Sequence, residues 1–204
     1  MRALVIGDAM VDTYLWGKVE RVSPEAPIPV VSVTNRENRL GGAANVSLNI
    51  QSLGATPILF SVVGDDEKGR KFKKLLQKNK LSCDGILVDP DRMTTVKNRI
   101  ISKGQHIARV DEETTDYISP EFEKQLISGI KNEIEKNKVD VIVFVDYDKG
   151  VITPHLFETI NKLAIKKDIP IAVDPKKRNF KIYRNINLFK PNFKEFVDGT
   201  GIDI

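Results

Sequence analysis

Short apolar runs alternate along the chain with stretches whose apolar residues recur at helical spacing. "RALVIGD" (Arg2 to Asp8), "TPILFSVVG" (Thr56 to Gly64), "VDVIVFVD" (Val139 to Asp146) and "IPIAVDP" (Ile169 to Pro175) have strand length and are rich in β-branched residues. The run at Val139–Asp146 reads as buried on both faces, and "INLFKPN" (Ile186 to Asn192) as a further short strand. Between these runs lie helical patterns. "GAANVSLNIQSLG" places Val46, Ile50 and Leu53 on one face, and "DEKGRKFKKLLQKN" places Phe72, Leu75 and Leu76 on one face. "ISPEFEKQLISGIKNEIEKN" (Ile118 to Asn137) carries Ser119 as N-cap and Pro120 at the first helical position; "TPHLFETINKLAIKK" repeats that signal with Thr153 and Pro154. Strands alternating with helices predict βαβ units: an α/β fold with a doubly wound, mostly parallel sheet and helices on both faces.

Two segments break this rhythm. Met10–Glu37 has strand-like pieces and prolines but no helical pattern, and Met93–Glu113 alternates, turns at Lys103-Gly104 and alternates again. Residues 11–36 and 92–113 are therefore expected to form a small β-sheet, a lid over the α/β body.

Composition narrows the partners. Of 204 residues, 41% are hydrophobic and 29% charged, as in ordinary globular chains. No apolar run reaches membrane-spanning length, and "MRALVIGDAMVD" is too short and too soon acidic for a signal peptide. The expectation is a cytoplasmic protein without a membrane partner. The net charge is +4, but lysines such as those in "KGRKFKKLLQKNK" read as a solvated helix face. The one aromatic of that stretch, Phe72, belongs to the apolar side, so no aromatic platform interleaves with the basic residues as nucleic-acid binding would require. The single cysteine, Cys83, excludes an internal disulfide, and His106 and His155 lack metal-ligand spacing and read as surface residues.

Candidate chemistry begins at "RLGGAANVS". Gly41-Gly42 directly precedes a helical pattern. Two readings are open: a plain helix entry, or backbone N–H groups that a ligand must approach. Asn45 donates and accepts hydrogen bonds, as a sugar hydroxyl requires. A nicotinamide site is a poor fit, because the first strand ends in "GDAMVD" and not in G-x-G-x-x-G. Lys97 and Arg99 lie two apart in an alternating strand and share a face with Thr95; the cations form either a solvated lid face or an anion site. "NFKE" (Asn192 to Glu195) is a capping box by pattern.

Gly-Gly-Ala-x-Asn-x-Ser from Gly41, followed by Gly54 and Gly64, resembles the first signature of the ribokinase-type (PfkB) carbohydrate kinases, which carry a β-sheet lid on an α/β body. "GDAMVDTYLWGKVERVSPEAPIPVV", "DYDKGVIT", "VDPKKRNF" and "FKPNFKEF" resemble the branch of that family that phosphorylates heptose 7-phosphate at its anomeric oxygen in ADP-heptose synthesis. In this branch a small residue usually stands at the position of Asp148. The resemblance implies ATP and Mg²⁺ as cofactors and assigns residues. Asp12, Gly41, Gly42 and Asn45 would bind the sugar, with weaker support for Asp8. Lys97, Arg99 and Arg109 would hold the 7-phosphate, and Asp146 and Lys149 would lie near the sugar. Asp174, Lys176, Asn192 and Glu195 would face the nucleotide phosphates, with Glu195 reaching Mg²⁺ through water. The family's general base belongs to a Gly-Ala-Gly-Asp motif that does not occur here; "DGTGID" (Asp198 to Asp203) follows Glu195 too closely to replace it. No catalytic residue is therefore assigned within these 204 residues, and the general base is expected beyond Ile204. The chain is thus expected to be the N-terminal part of a kinase domain, without its ATP-binding C-terminal part, inactive alone, and a homodimer through the lid. Two alternatives stay open: another ribokinase-type sugar or nucleoside kinase, and a non-catalytic sugar-phosphate-binding or dimerisation module.

Overall fold

A computed structural model describes residues 1–202. Its body is a six-stranded sheet in the order β10-β9-β8-β1-β4-β5. The strands are β1 (Arg2–Gly7), β4 (Thr56–Gly64), β5 (Ile86–Asp89), β8 (Val141–Val145), β9 (Ile171–Asp174) and β10 (Leu188–Phe189). Every pairing in this sheet is parallel. The alternation of β1 shows why both faces need cover. Leu4 and Ile6 enter one apolar cluster with Phe60, Ile142 and Phe144, whereas Val5 enters the other with Leu59 and Val63. Helices α3 (Pro120–Lys136) and α4 (Pro154–Lys166) close the first face, and α1 (Ala43–Ser52) and α2 (Glu67–Lys78) the second. The last helix, α5 (Phe193–Thr200), follows β10.

Local signals in the sequence set several boundaries. Ser119 and Thr153 accept hydrogen bonds from Phe122 N and Leu156 N, with Pro120 and Pro154 at the starts of their helices. Helix α1 corrects its expected face at Leu53, whereas Val46 and Ile50 do pack against the second cluster. Its buried positions are Ala43, Ala44 and Ser47, while Val46 and Ile50 are only half-buried and Leu53 is 87% exposed. Small side chains let this helix lie close on the sheet, and Leu53 falls at the C-cap, where the helical stripe has ended. In β8, Ile142, Phe144 and Val145 are buried but Val141 and Val143 only half so. The expected strand at Ile186–Asn192 is only two residues long; beyond Phe189 the chain turns to Asn192 and starts α5.

The two irregular segments join in a single sheet of order β3-β2-β6-β7, built from β2 (Ala9–Val22), β3 (Pro29–Gly42), β6 (Val96–Ser102) and β7 (Gln105–Glu112). The turn between β6 and β7 falls at Lys103-Gly104, with φ of 50° and 78°. Strand β2 starts one residue after β1, so the lid grows directly from the carboxyl end of the central strand.

Candidate functional site

Strand order reverses across β1: β4 and β5 lie to one side, β8, β9 and β10 to the other. In open α/β sheets the crevice beyond the carboxyl ends of strands at such a switch point receives ligands. Here that crevice is bordered by Asp8, the β8–α4 loop and the roots of the lid.

Asp8 organises the loop. Its buried carboxylate accepts hydrogen bonds from the backbone N–H groups of Tyr147 (2.8 Å), Lys149 (3.1 Å) and Val151 (3.0 Å). Burial, reinforced by Asp146, pushes its carboxyl up to about 6. Asp8 is thereby a scaffold for the loop rather than an open ligand.

The glycine pair has a steric explanation within the chain itself. A Cβ on Gly42 would lie 2.2 Å from the Asp8 carbonyl oxygen, and Gly42 has a φ of 57°. That same carbonyl accepts from Ala43 N at 2.9 Å, so the sharp entry lets α1 begin against β1. A Cβ on Gly41 would lie 2.5 Å from Asp12 Oδ2. The space a side chain would fill holds the Asp12 carboxylate instead. Asp12 and the exposed Asn45 line one cavity of about 340 Å³ with Tyr14, Asn38, Arg39 and Lys78. This cavity unites two of the residues expected to bind a sugar.

The lid cations are placed together but not free. Arg99 Nη1 donates to Asp12 Oδ1 at 2.5 Å. Lys97 Nζ lies 3.0 Å from Asp111 and 3.2 Å from Glu113, and Arg109 Nε lies 3.0 Å from Asp111. Lys149, on the β8–α4 loop, reaches the other oxygen of Glu113 at 2.8 Å. The carboxylates Asp111 and Glu113 were not among the expected site residues. A turn at Lys103-Gly104 alone would set Lys97 opposite Val110; the register shift between Ile100 and Ile101 brings Asp111 opposite instead, so the hairpin pattern carried no signal for this pair. Thr95 is buried, at 5% exposure.

Asp146 requires a correction. It is 1% exposed and lies inside the fold, accepting from Tyr183 Oη at 2.5 Å, Asn179 Nδ2 at 3.0 Å and Asp148 N at 2.8 Å. Its carboxylate ties the β8–α4 loop to residues 179–183, and no open face is left toward a sugar. Asp148, at a φ of 57°, has a buried Oδ1 without a partner among the described residues. Burial, then Asp146, raises its carboxyl above the usual range.

On the other side of the crevice, Lys176 forms an ion pair with Glu195. Glu195 also accepts from Asn192 N at 2.8 Å while Asn192 Oδ1 accepts from Glu195 N at 2.9 Å, so the capping box is complete. Asp174, at the end of β9, receives Lys190 at 3.2 Å. Tyr147, which the sequence did not single out, sits between the two halves. Lys176 Nζ is 5.3 Å from its ring centroid. Burial, then the charge of Asp174, raises its hydroxyl above the ordinary range; Lys176 opposes this, and Asp12 and Glu195 add to it. Among the described residues no three His, Cys, Asp or Glu side chains group as a metal cage. The general base expected beyond Ile204 lies outside the described residues, as do Ile204 itself and Asp203, the aspartate that closes "DGTGID".

The architecture is a parallel α/β body with a four-stranded sheet rooted at its switch point, and polar side chains of that sheet and of α1 share one cavity. The chain belongs to the pfkB family of carbohydrate kinases, whose model matches residues 2–204. It is 42% identical over its full length to the bifunctional protein HldE of Geobacter sulfurreducens, and 44% identical over 191 residues to that of Helicobacter pylori strain G27. Those alignments cover 100% and 94% of this chain but 41% of each relative, so the chain spans about two-fifths of their length. Among solved structures, phosphofructokinase-2 of Escherichia coli in complex with substrates and products superposes with a TM-score of 0.73 at 18% identity, covering 98% of this chain and 63% of that one. Ribokinase of Arabidopsis thaliana complexed with ribose and ATP gives 0.68 at 14% identity, covering 98% and 62%. The fold is ribokinase-like.

Proposed function

We propose that these residues form the sugar-phosphate-binding part of an ATP-dependent kinase acting on D-glycero-D-manno-heptose 7-phosphate at O1. The observation that carries this reading is the shared cavity of Asp12 and Asn45 beneath the lid, with the Asp12 carboxylate seated against Gly41. A carboxylate and an amide facing one space suit a vicinal diol, since one accepts and the other both donates and accepts. The similarity to HldE proteins across the chain supports the heptose branch over other sugars.

The sugar's phosphate would meet Lys97, Arg99, Arg109 and Lys149. Each is paired with a carboxylate, so a phosphate enters by exchange with Asp12, Asp111 or Glu113. Lys176, Asn192 and Glu195, with Asp174, form the nucleotide-phosphate side. Glu195 fits Mg²⁺ held through water: its oxygens each have one partner here, which leaves acceptor capacity, and Mg²⁺ keeps several waters. When bound, the ion would neutralise charge on the transferred phosphate. Tyr147 and the Asp8-braced loop would wall the space between the two substrates. Exposed Val33 on β3 and Val110 on β7 support a homodimer through the lid, checked by light scattering of a Val110→Asp variant, which should be monomeric.

Binding is the direct readout, because Gly-Ala-Gly-Asp is not among these 204 residues. Titration calorimetry should show saturable binding of heptose 7-phosphate, abolished by Asp12→Asn in a folded variant. Equal affinity in that variant removes Asp12 from the site.

A further inference from the structure

The Arg99–Asp12 pair joins a group assigned to the substrate's phosphate to a group assigned to its hydroxyls. The two are 87 residues apart and meet because β2 and β6 run parallel, with Asp12 opposite Lys97 and Tyr14 opposite Arg99. Nη1 and Oδ1 are 2.5 Å apart, and the side chains are only 21% and 18% exposed. The guanidinium also lies over the Tyr14 ring at 5.3 Å, and Tyr14 lines the same cavity as Asp12. Oδ2 of Asp12 packs against Gly41, so both oxygens are constrained. The neighbouring cations are arranged otherwise: Lys97 and Arg109 pair with Asp111, and Lys97 and Lys149 with Glu113, none of them sugar ligands in this reading.

We propose that Arg99 is a phosphate-operated latch on Asp12, which makes Arg99 a specificity-determining residue. A phosphate on the substrate draws the guanidinium away from Asp12, and the freed carboxylate then accepts the sugar hydroxyls. Charge pairing is preserved through the exchange. A guanidinium–carboxylate contact becomes a guanidinium–phosphate contact, for which the planar fork is well matched. An unphosphorylated sugar offers no such replacement and must break a partly buried ion pair uncompensated. The inference rests on Asp12 being a sugar ligand. It differs from the simpler view of Arg99 as a phosphate ligand alone in one respect: the arginine opposes the binding of a neutral sugar.

Calorimetry on the 204-residue chain separates these views, with heptose, heptose 7-phosphate and inorganic phosphate as probes. Arg99→Ala should weaken heptose 7-phosphate binding and strengthen heptose binding, each by about tenfold or more, the range for hydrogen bonds to charged groups. In the unmutated chain, saturating inorganic phosphate should tighten heptose binding, and heptose should tighten phosphate binding by the same factor. Arg99→Ala should abolish that mutual effect. The phosphate experiment needs no variant, so misfolding cannot mask it. Heptose affinity that is unchanged or reduced in Arg99→Ala, or indifferent to phosphate, overturns the latch while leaving the sugar site intact. Heptose 7-phosphate binding that survives Asp12→Asn undiminished overturns the sugar-site reading, and the latch with it.

Discussion

Asp8→Asn tests the scaffold beneath the site. The wild-type carboxylate accepts three backbone N–H groups from residues 147, 149 and 151, which should favour its charged form. Complete burial and the nearby Asp146 outweigh them and raise the carboxyl from 3.8 to about 6. A rise of about two pH units is worth about 3 kcal/mol. Its sign follows from linkage. Below pH 4 the group is neutral in both states, and its contribution to stability is fully present. Between pH 4 and pH 6 the unfolded chain releases the proton while the folded chain keeps it, so stability falls, and above 6 the loss is complete. Asn cannot titrate. The stability of wild type relative to Asp8→Asn should therefore drop by about 3 kcal/mol from pH 4 to pH 7, whatever the fixed cost of the substitution. Urea unfolding followed by far-ultraviolet circular dichroism at a series of pH values gives this difference. A difference independent of pH would refute the reasoning: the three N–H donors would then balance burial and Asp146.

Three other outcomes follow from the same geometry. Gly42→Ala places a Cβ 2.2 Å from the Asp8 carbonyl oxygen at a φ of 57° and should cost about 1–3 kcal/mol or more, read as a lower melting temperature. Gly41→Ala displaces Asp12 Oδ2, which lies 2.5 Å from the new Cβ; heptose 7-phosphate affinity should fall by about tenfold, measured by calorimetry, because a hydrogen-bonding carboxylate leaves its place. Glu195→Gln removes the ion pair to Lys176 but keeps an amide able to cap, so ATP binding in Mg²⁺ should weaken while stability changes by less than about 1 kcal/mol; a larger unfolding shift would show that the residue is structural.

Much of the architecture was legible because its signals are local. Ser119-Pro120 and Thr153-Pro154 mark helix starts wherever they occur, and Asn192 with Glu195 forms its box from four consecutive residues. The Lys103-Gly104 turn fixed the hairpin. Misreadings arose where a helix end or a remote partner decides the outcome. Leu53 fits a helical stripe, yet the helix stops at Ser52. Asp146 has the sequence surroundings of a strand-end ligand, but Asn179 and Tyr183 enclose it. Tyr147 has no motif of its own and gains its place from Asp8, the residue between β1 and β2.

The sequence by itself determined the βαβ rhythm, the lid segments and the residue types at the crevice, because hydrophobic period and capping chemistry act over a few residues. Tertiary structure alone decided which charges meet. Asp12 finds Arg99 across 87 residues, Lys149 finds Glu113 across 36, and Asp8 finds Tyr147 across 139. Strand order and register bring these groups together, and that geometry converts a row of separate acids and bases into paired, partly buried charges.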